Sequence, residues 1–129
     1  MKGAKVHLLM MLFALFLAPT REVQAHHSVA AEFDAKHLVT VTGTLTKVDW
    51  ILPHSWINMD VKGDDGKMQQ WSFLFPTAFR RKGASAKGYL NIGDTLTVTA
   101  MVARNGELKG FVGFVQFADG RKLSMAGQL

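Results

Sequence analysis

The chain contains no cysteine. That removes disulfide frameworks, thiolate metal sites, covalent c-type haem attachment and lipid-anchored lipoproteins together. Any metal must then be held by nitrogen and oxygen. Thioether ligation is also poorly supplied, since beyond residue 25 only Met59, Met68, Met101 and Met125 remain, too scattered for a copper(I) site. Hydrolase signatures are missing as well: there is no HExxH, no Ser-His-Asp order, no glycine-rich phosphate loop and no paired carboxylates. The apolar run Leu8–Ala18 has 11 residues, too short to cross a bilayer, which takes about 20.

That run has a different use. Lys2 and Lys5 precede it, Pro19 breaks it, and Val23-Gln24-Ala25 puts small residues at −3 and −1 of a cleavage site. The layout predicts a secretory signal peptide over residues 1–25, cut between Ala25 and His26, and hence a periplasmic protein with no membrane span after cleavage. A cut after Ala18 would put Phe16 at −3, a poor fit. Removing residues 1–25 from the 129 leaves 104, enough for one small domain with a single core. Losing Lys2, Lys5, Arg21 and Glu22 lowers the formal charge from +5 to +3. So small an excess predicts no nucleic-acid partner and no strongly cationic membrane surface.

The mature part reads as strands. Residues 26–36 are expected to be an extended N-terminal segment and 37–125 the folded domain. His37–Trp50 alternates Val39, Val41 and Leu45 against Thr40, Thr42, Thr44 and Thr46, a period of two with many β-branched residues. The apolar face switches at Val48 and Trp50, which predicts a bulge or bend near Gly43 or Lys47. Ser55–Lys62 sets Ile57, Met59 and Val61 against Trp56, Asn58 and Asp60. Lys67–Phe75 points Trp71, Phe73 and Phe75 one way. Then Pro76-Thr77 and AFRRK predict a short helix capped by Thr77 and ended by Gly83. Thr95–Arg104 and Glu107–Phe117 follow as strands around Asn105-Gly106, a two-residue hairpin signal. A short last strand is expected near Arg121–Met125. The order β-β-β-α-β-β predicts an all-β fold with one short helix, the small five-stranded barrel of the OB type. Its ligand surface is the face of strands two and three with the loops joining one to two and four to five. The four–five loop is expected to be too tight to grip a ligand, which turns attention to Trp50–Trp56 (WILPHSW).

That loop holds His54 between two tryptophans. A terminal His26 would chelate a metal through its α-amine and ring nitrogen, with a further imidazole completing the set. Nitrogen-only planar coordination suits copper(II) or nickel(II), and a tetrahedral arrangement suits zinc. His26 with His54 is the sharper pairing. His27 is a further candidate, and Asp34 or Glu32 could add an oxygen. Adjacent side chains diverge in extended chain, so His26 and His27 would not both turn inward. Trp50 and Trp56 could stack a ligand, and Arg80 and Arg81 could hold an anion. Three readings follow. The first is a non-enzymatic module binding copper, or else zinc or nickel. The second is a metal-free module that takes a small ligand or a periplasmic protein on the tryptophan and arginine surface. The third is a copper oxidase with a terminal histidine.

The stretches AHHSVAAEFD (25–34), VTVTGTLTKVDW (39–50), PHSWI (53–57), DVKGDDGK (60–67), RRKG (80–83), GDTLTV (93–98) and ADGRKL (118–123) occur in that order. Together they resemble the small exported bacterial proteins of the domain-of-unknown-function 6152 family, over essentially the whole mature chain. The resemblance implies a secreted or periplasmic β-barrel with no established activity. It weights His26, His27, Phe33, Asp34, Pro53, His54, Trp56, Arg80 and Arg81 as pattern positions and gives none of them a role. Two departures stand out. Leu52 replaces the asparagine usual before Pro-His, and Leu74-Phe75-Pro76-Thr77 replaces an acidic, glycine-rich stretch before the arginine pair.

Overall fold

A computed structural model describes residues 29–125. The predicted signal peptide, with His26 and His27, lies outside the described residues. Six strands occur in order: β1 (Phe33–Asp49), β2 (Ser55–Lys62), β3 (Met68–Phe75), β4 (Thr95–Ala103), β5 (Lys109–Phe117) and β6 (Lys122–Ser124). Between β3 and β4 a short helix, α1 (Thr77–Phe79), widens into a π-type turn over Arg80–Ala84. The expected order holds; the sheet has six strands, the sixth being the short last strand expected near Arg121–Met125. The short β6 adds to β5 alone, over Phe114–Gln116. Among the described residues no helix is long and apolar enough to cross a membrane.

The sheet runs β3-β2-β1-β4-β5-β6, and a parallel pairing of β3 with β5 closes the ring. Closure rests on Ser72, Phe73 and Leu74 beside Lys109, Gly110 and Phe111. β1 is long because it serves both halves. Phe33–Thr44 pairs with β4, and Gly43–Asp49 pairs with β2. The expected bulge falls at Thr46, between Leu45 and Lys47, where the register against β2 slips by one residue. The Thr46 hydroxyl donates to the Asn58 carbonyl there, at 3.1 Å. The slip turns Val48 and Trp50 back toward the core, which Val39 and Val41 approach from the other half of the strand.

The period of two sorts the side chains. Ile57, Met59 and Val61 of β2, Trp71, Phe73 and Phe75 of β3, and Leu96, Val98 and Ala100 of β4 are buried inside the barrel. Outside, threonine hydroxyls pair across β1 and β4, Thr40 with Thr99 at 2.9 Å and Thr42 with Thr97 at 2.8 Å. Phe79 closes one end, fully buried and edge-on to Phe75 with ring centres 4.9 Å apart. Elsewhere the Arg121 guanidinium lies over Phe117 and Tyr89, at 4.2 and 4.9 Å from the ring centres. It also donates to Asp119 and to the Tyr89 carbonyl.

Three local expectations change. The segment before the barrel is not wholly extended: residues 29–32 are helical, and β1 starts at Phe33 rather than His37. Arg104 causes this, because its amide donates to the Glu32 carbonyl (2.9 Å) and brings Phe33 opposite Ala103. The helix is preceded by Pro76, and the Thr77 side chain does not cap it. Gly83, at φ 89°, does break it as expected. Finally, the four–five connection is not a two-residue hairpin. Residues 104–108 lie between the strands, since the Asn105 side chain accepts from the Glu107 amide and β5 must turn toward β3.

A cleft on the outer face of the barrel

The outer face carries a second apolar cluster. Phe33, Leu74 and Ala103 are buried there, with Val29, Trp56, Met101 and Phe111 packed around them. Register explains the grouping: Leu74 sits opposite Trp56 on one side and Phe111 on the other, and Met101 opposite Phe111. Val29 and Ala30 on one side and Pro76, Thr77, Ala78 and Arg81 on the other line a cleft of about 620 Å³ over this patch. Its walls include Phe33, Leu74, Met101 and Phe111, and its charged or titratable groups are His54, Arg81 and Arg104.

Each polar group is set by a local structure. The Trp50–Trp56 loop is closed by the buried Ser55, whose hydroxyl donates to the Ile51 carbonyl at 3.1 Å. Thr77 ties the loop to α1 by donating to the Pro53 carbonyl at 3.3 Å, and the Leu52–Pro53 peptide is cis. His54 and Arg81 line one cleft, although 27 positions separate them in sequence. Arg104 has two partners. Its Nε donates to the Ala30 carbonyl at 3.3 Å, and its Nη1 lies 3.8 Å from the Asp34 carboxylate. Asp34 accepts from His37 Nδ1 at 2.6 Å and from the Lys36 amide at 3.0 Å. The His37 hydrogen bond, then that of the Lys36 amide, holds the Asp34 carboxyl below the ordinary carboxylate range, with Arg104 adding a smaller pull the same way. By contrast, no described residue bonds the side chain of Arg81 or of His54.

The residues singled out from the sequence separate accordingly. His54 and Arg81 meet at the cleft, and Trp56 packs on the cluster that floors it. Trp50 packs on the barrel core instead, edge-on to Phe75 with centres 5.7 Å apart. Arg80 does not line the cleft. Asp34 orders the start of β1, and Glu32 is exposed, its backbone carbonyl being the group that is used. Among the described residues no group of three or more His, Asp or Glu stands close enough to hold a metal. Sequence reading missed Arg104, Leu74, Met101 and Phe111. The available signal was that Leu74 and Phe111 are apolar at the outward phase of their strands.

A six-stranded sheet closed into a ring by β3 and β5, with β6 appended outside the ring and a helix between β3 and β4, defines the class: a small OB-like barrel. A solved structure agrees on the fold. The mitochondrial single-stranded DNA binding protein Rim1 of S. cerevisiae (form 2) superposes with a TM-score of 0.52 at 11% identity, over 67% of this chain and 95% of that one. A selenomethionine-labelled structure of the same protein gives 0.45 at 11% identity, covering 67% and 94%. No curated protein matches the chain. The model of DUF6152, a family of unknown function, matches residues 15–112, and the chain belongs to that family.

One expectation is corrected by these comparisons. The small net charge predicted no nucleic-acid partner, yet the barrel shares its fold with a single-stranded DNA binding protein. Barrels of this type take oligonucleotides through stacking and a local groove, so overall charge is a poor basis for the exclusion.

Proposed function

We propose that this chain is an exported, non-enzymatic binding module that takes a small ligand in the cleft on its outer face. The observation that carries the reading is convergence. Phe33, Pro53, His54 and Arg81, four of the residues that the sequence resemblance weights, line that cleft, and Trp56 packs on the same cluster. The size suits a small molecule, and the lining of apolar walls with a few polar groups is what such sites require. The signal-like pattern of residues 1–25 supports a site of action in the periplasm.

The neutral probe N-phenyl-1-naphthylamine, whose fluorescence rises in apolar surroundings, tests the site directly. The processed protein should bind it at one site, and Ala78→Trp, which fills the cleft from its wall, should weaken binding by about tenfold or more. Equal binding by parent and variant would reject the cleft as the ligand site.

A second reading keeps the metal, and one observation favours it. Val29 lines the same cleft as His54, and His26 is three residues upstream, within about 10 Å of chain. In this reading the α-amine and ring of His26 hold copper(II), or else zinc or nickel, together with His54, and His27 is the alternative imidazole. Calorimetric titration with copper(II) and zinc(II) should show tighter binding by the processed form than by one that retains Ala25. Equal affinities would remove the terminal amine from the site.

A further inference from the structure

The cleft carries an asymmetry that specifies its ligand more narrowly. Its lining contains two guanidinium groups and an imidazole but no carboxylate. Arg104 is already engaged by the Ala30 carbonyl and Asp34. Arg81 is not: no described residue accepts from it, and it lines the same cleft as Leu74, Met101 and Phe111. A free fork of donors beside an apolar floor matches a molecule with one anionic end and one apolar end. Guanidinium binds carboxylate or phosphate oxygens in pairs, and such charge-assisted bonds are stronger than neutral ones.

We infer that the cleft binds a small amphipathic anion, with its carboxylate or phosphate-monoester head on Arg81 and its apolar body over Leu74, Met101 and Phe111. The inference rests on the cleft being the ligand site. His54, likewise unbonded by described residues, lines the same cleft and is a second candidate donor to that head. Apolar contact supplies attraction that any alkyl compound would share, and Arg81 supplies the preference for charge. Neither source of anion is favoured by the geometry, because both present paired oxygens.

Displacement of N-phenyl-1-naphthylamine by octanoate, octyl phosphate, 1-octanol and acetate separates these contributions. Octanoate, octyl phosphate or both should displace the probe at concentrations about tenfold below octanol, and acetate should not displace it. Arg81→Gln, at an exposed position, should keep the parent melting temperature while erasing the preference of the anions over octanol. Octanol competing as well as both anions would overturn the inference while leaving the cleft as a binding site. So would an anion preference that survives in Arg81→Gln. Failure of the neutral probe itself to bind would instead reject the underlying reading.

Discussion

Replacing Phe79 by alanine should lower the unfolding free energy by about 3–5 kcal/mol, the usual cost of emptying a large buried aromatic site. Domains of this size are stable by only about 5–15 kcal/mol, so the variant should be close to the limit of folding at body temperature. The physical reason lies in what Phe79 closes. It is the one fully buried aromatic of the segment between β3 and β4, and it meets Phe75 edge-on at the end of the barrel. Few intrinsic forces hold that segment helical: it is short, has no side-chain cap, and is broken by Gly83 at positive φ. Its position depends on burial of this ring and on the Thr77 hydroxyl bond to the Pro53 carbonyl. Urea melts of parent, Phe79→Ala and Phe79→Leu should place leucine nearer the parent. A loss below about 1 kcal/mol for alanine would mean that the ring is not the anchor. Because Arg81 follows two residues later, Phe79→Ala should also weaken anion binding at the cleft in conditions where the fold survives.

The barrel was legible in the sequence because its inner face obeys a single rule. Strands β2 and β3 alternate cleanly, and each inward position named from the pattern, Ile57, Met59, Val61, Trp71, Phe73 and Phe75, is buried. Even the bulge at Thr46 was visible, as a change of phase along β1. The site was legible only in part. His54 and Arg81 stood out as chemistry-bearing side chains, but nothing local says that they share a cleft, since their proximity is made by the hairpin of β2 and β3. Arg104 was hidden by the Asn105-Gly106 signal, which describes a turn and is silent on a strand that must leave that turn toward a third partner. The outer cluster was hidden for a similar reason. Leu74 and Phe111 read as ordinary apolar residues until β3 and β5 are known to lie side by side.

That dependence on long-range pairing makes Gly43 the most sensitive backbone position. Gly43 is where β1 passes from one partner to the other, lying opposite Val61 of β2 and Leu96 of β4 at once. No left-handed backbone is involved, since its φ is not positive. The constraint is close approach: a Cβ there would fall on the Asp60 carbonyl oxygen, well inside contact distance, and 2.8 Å from Val61 Cγ2. A flexible side-chain end could give way, but the Asp60 carbonyl belongs to the β1–β2 ladder and can move only with the strand. Gly43→Ala should therefore cost about 3 kcal/mol, at the upper end of overpacking penalties. For a domain near 100 residues that lowers the melting temperature by roughly 10–20 °C. Calorimetric melts would measure it, with Gly113→Ala as the control. The Cβ built at Gly113 meets nothing closer than 3.8 Å, so that variant should shift the melt far less. Equal shifts in the two variants would place the sensitivity in strand propensity at glycine generally. A large loss confined to Gly43 would place it at the crossing, where one residue must lie close to two neighbouring strands for the ring to close.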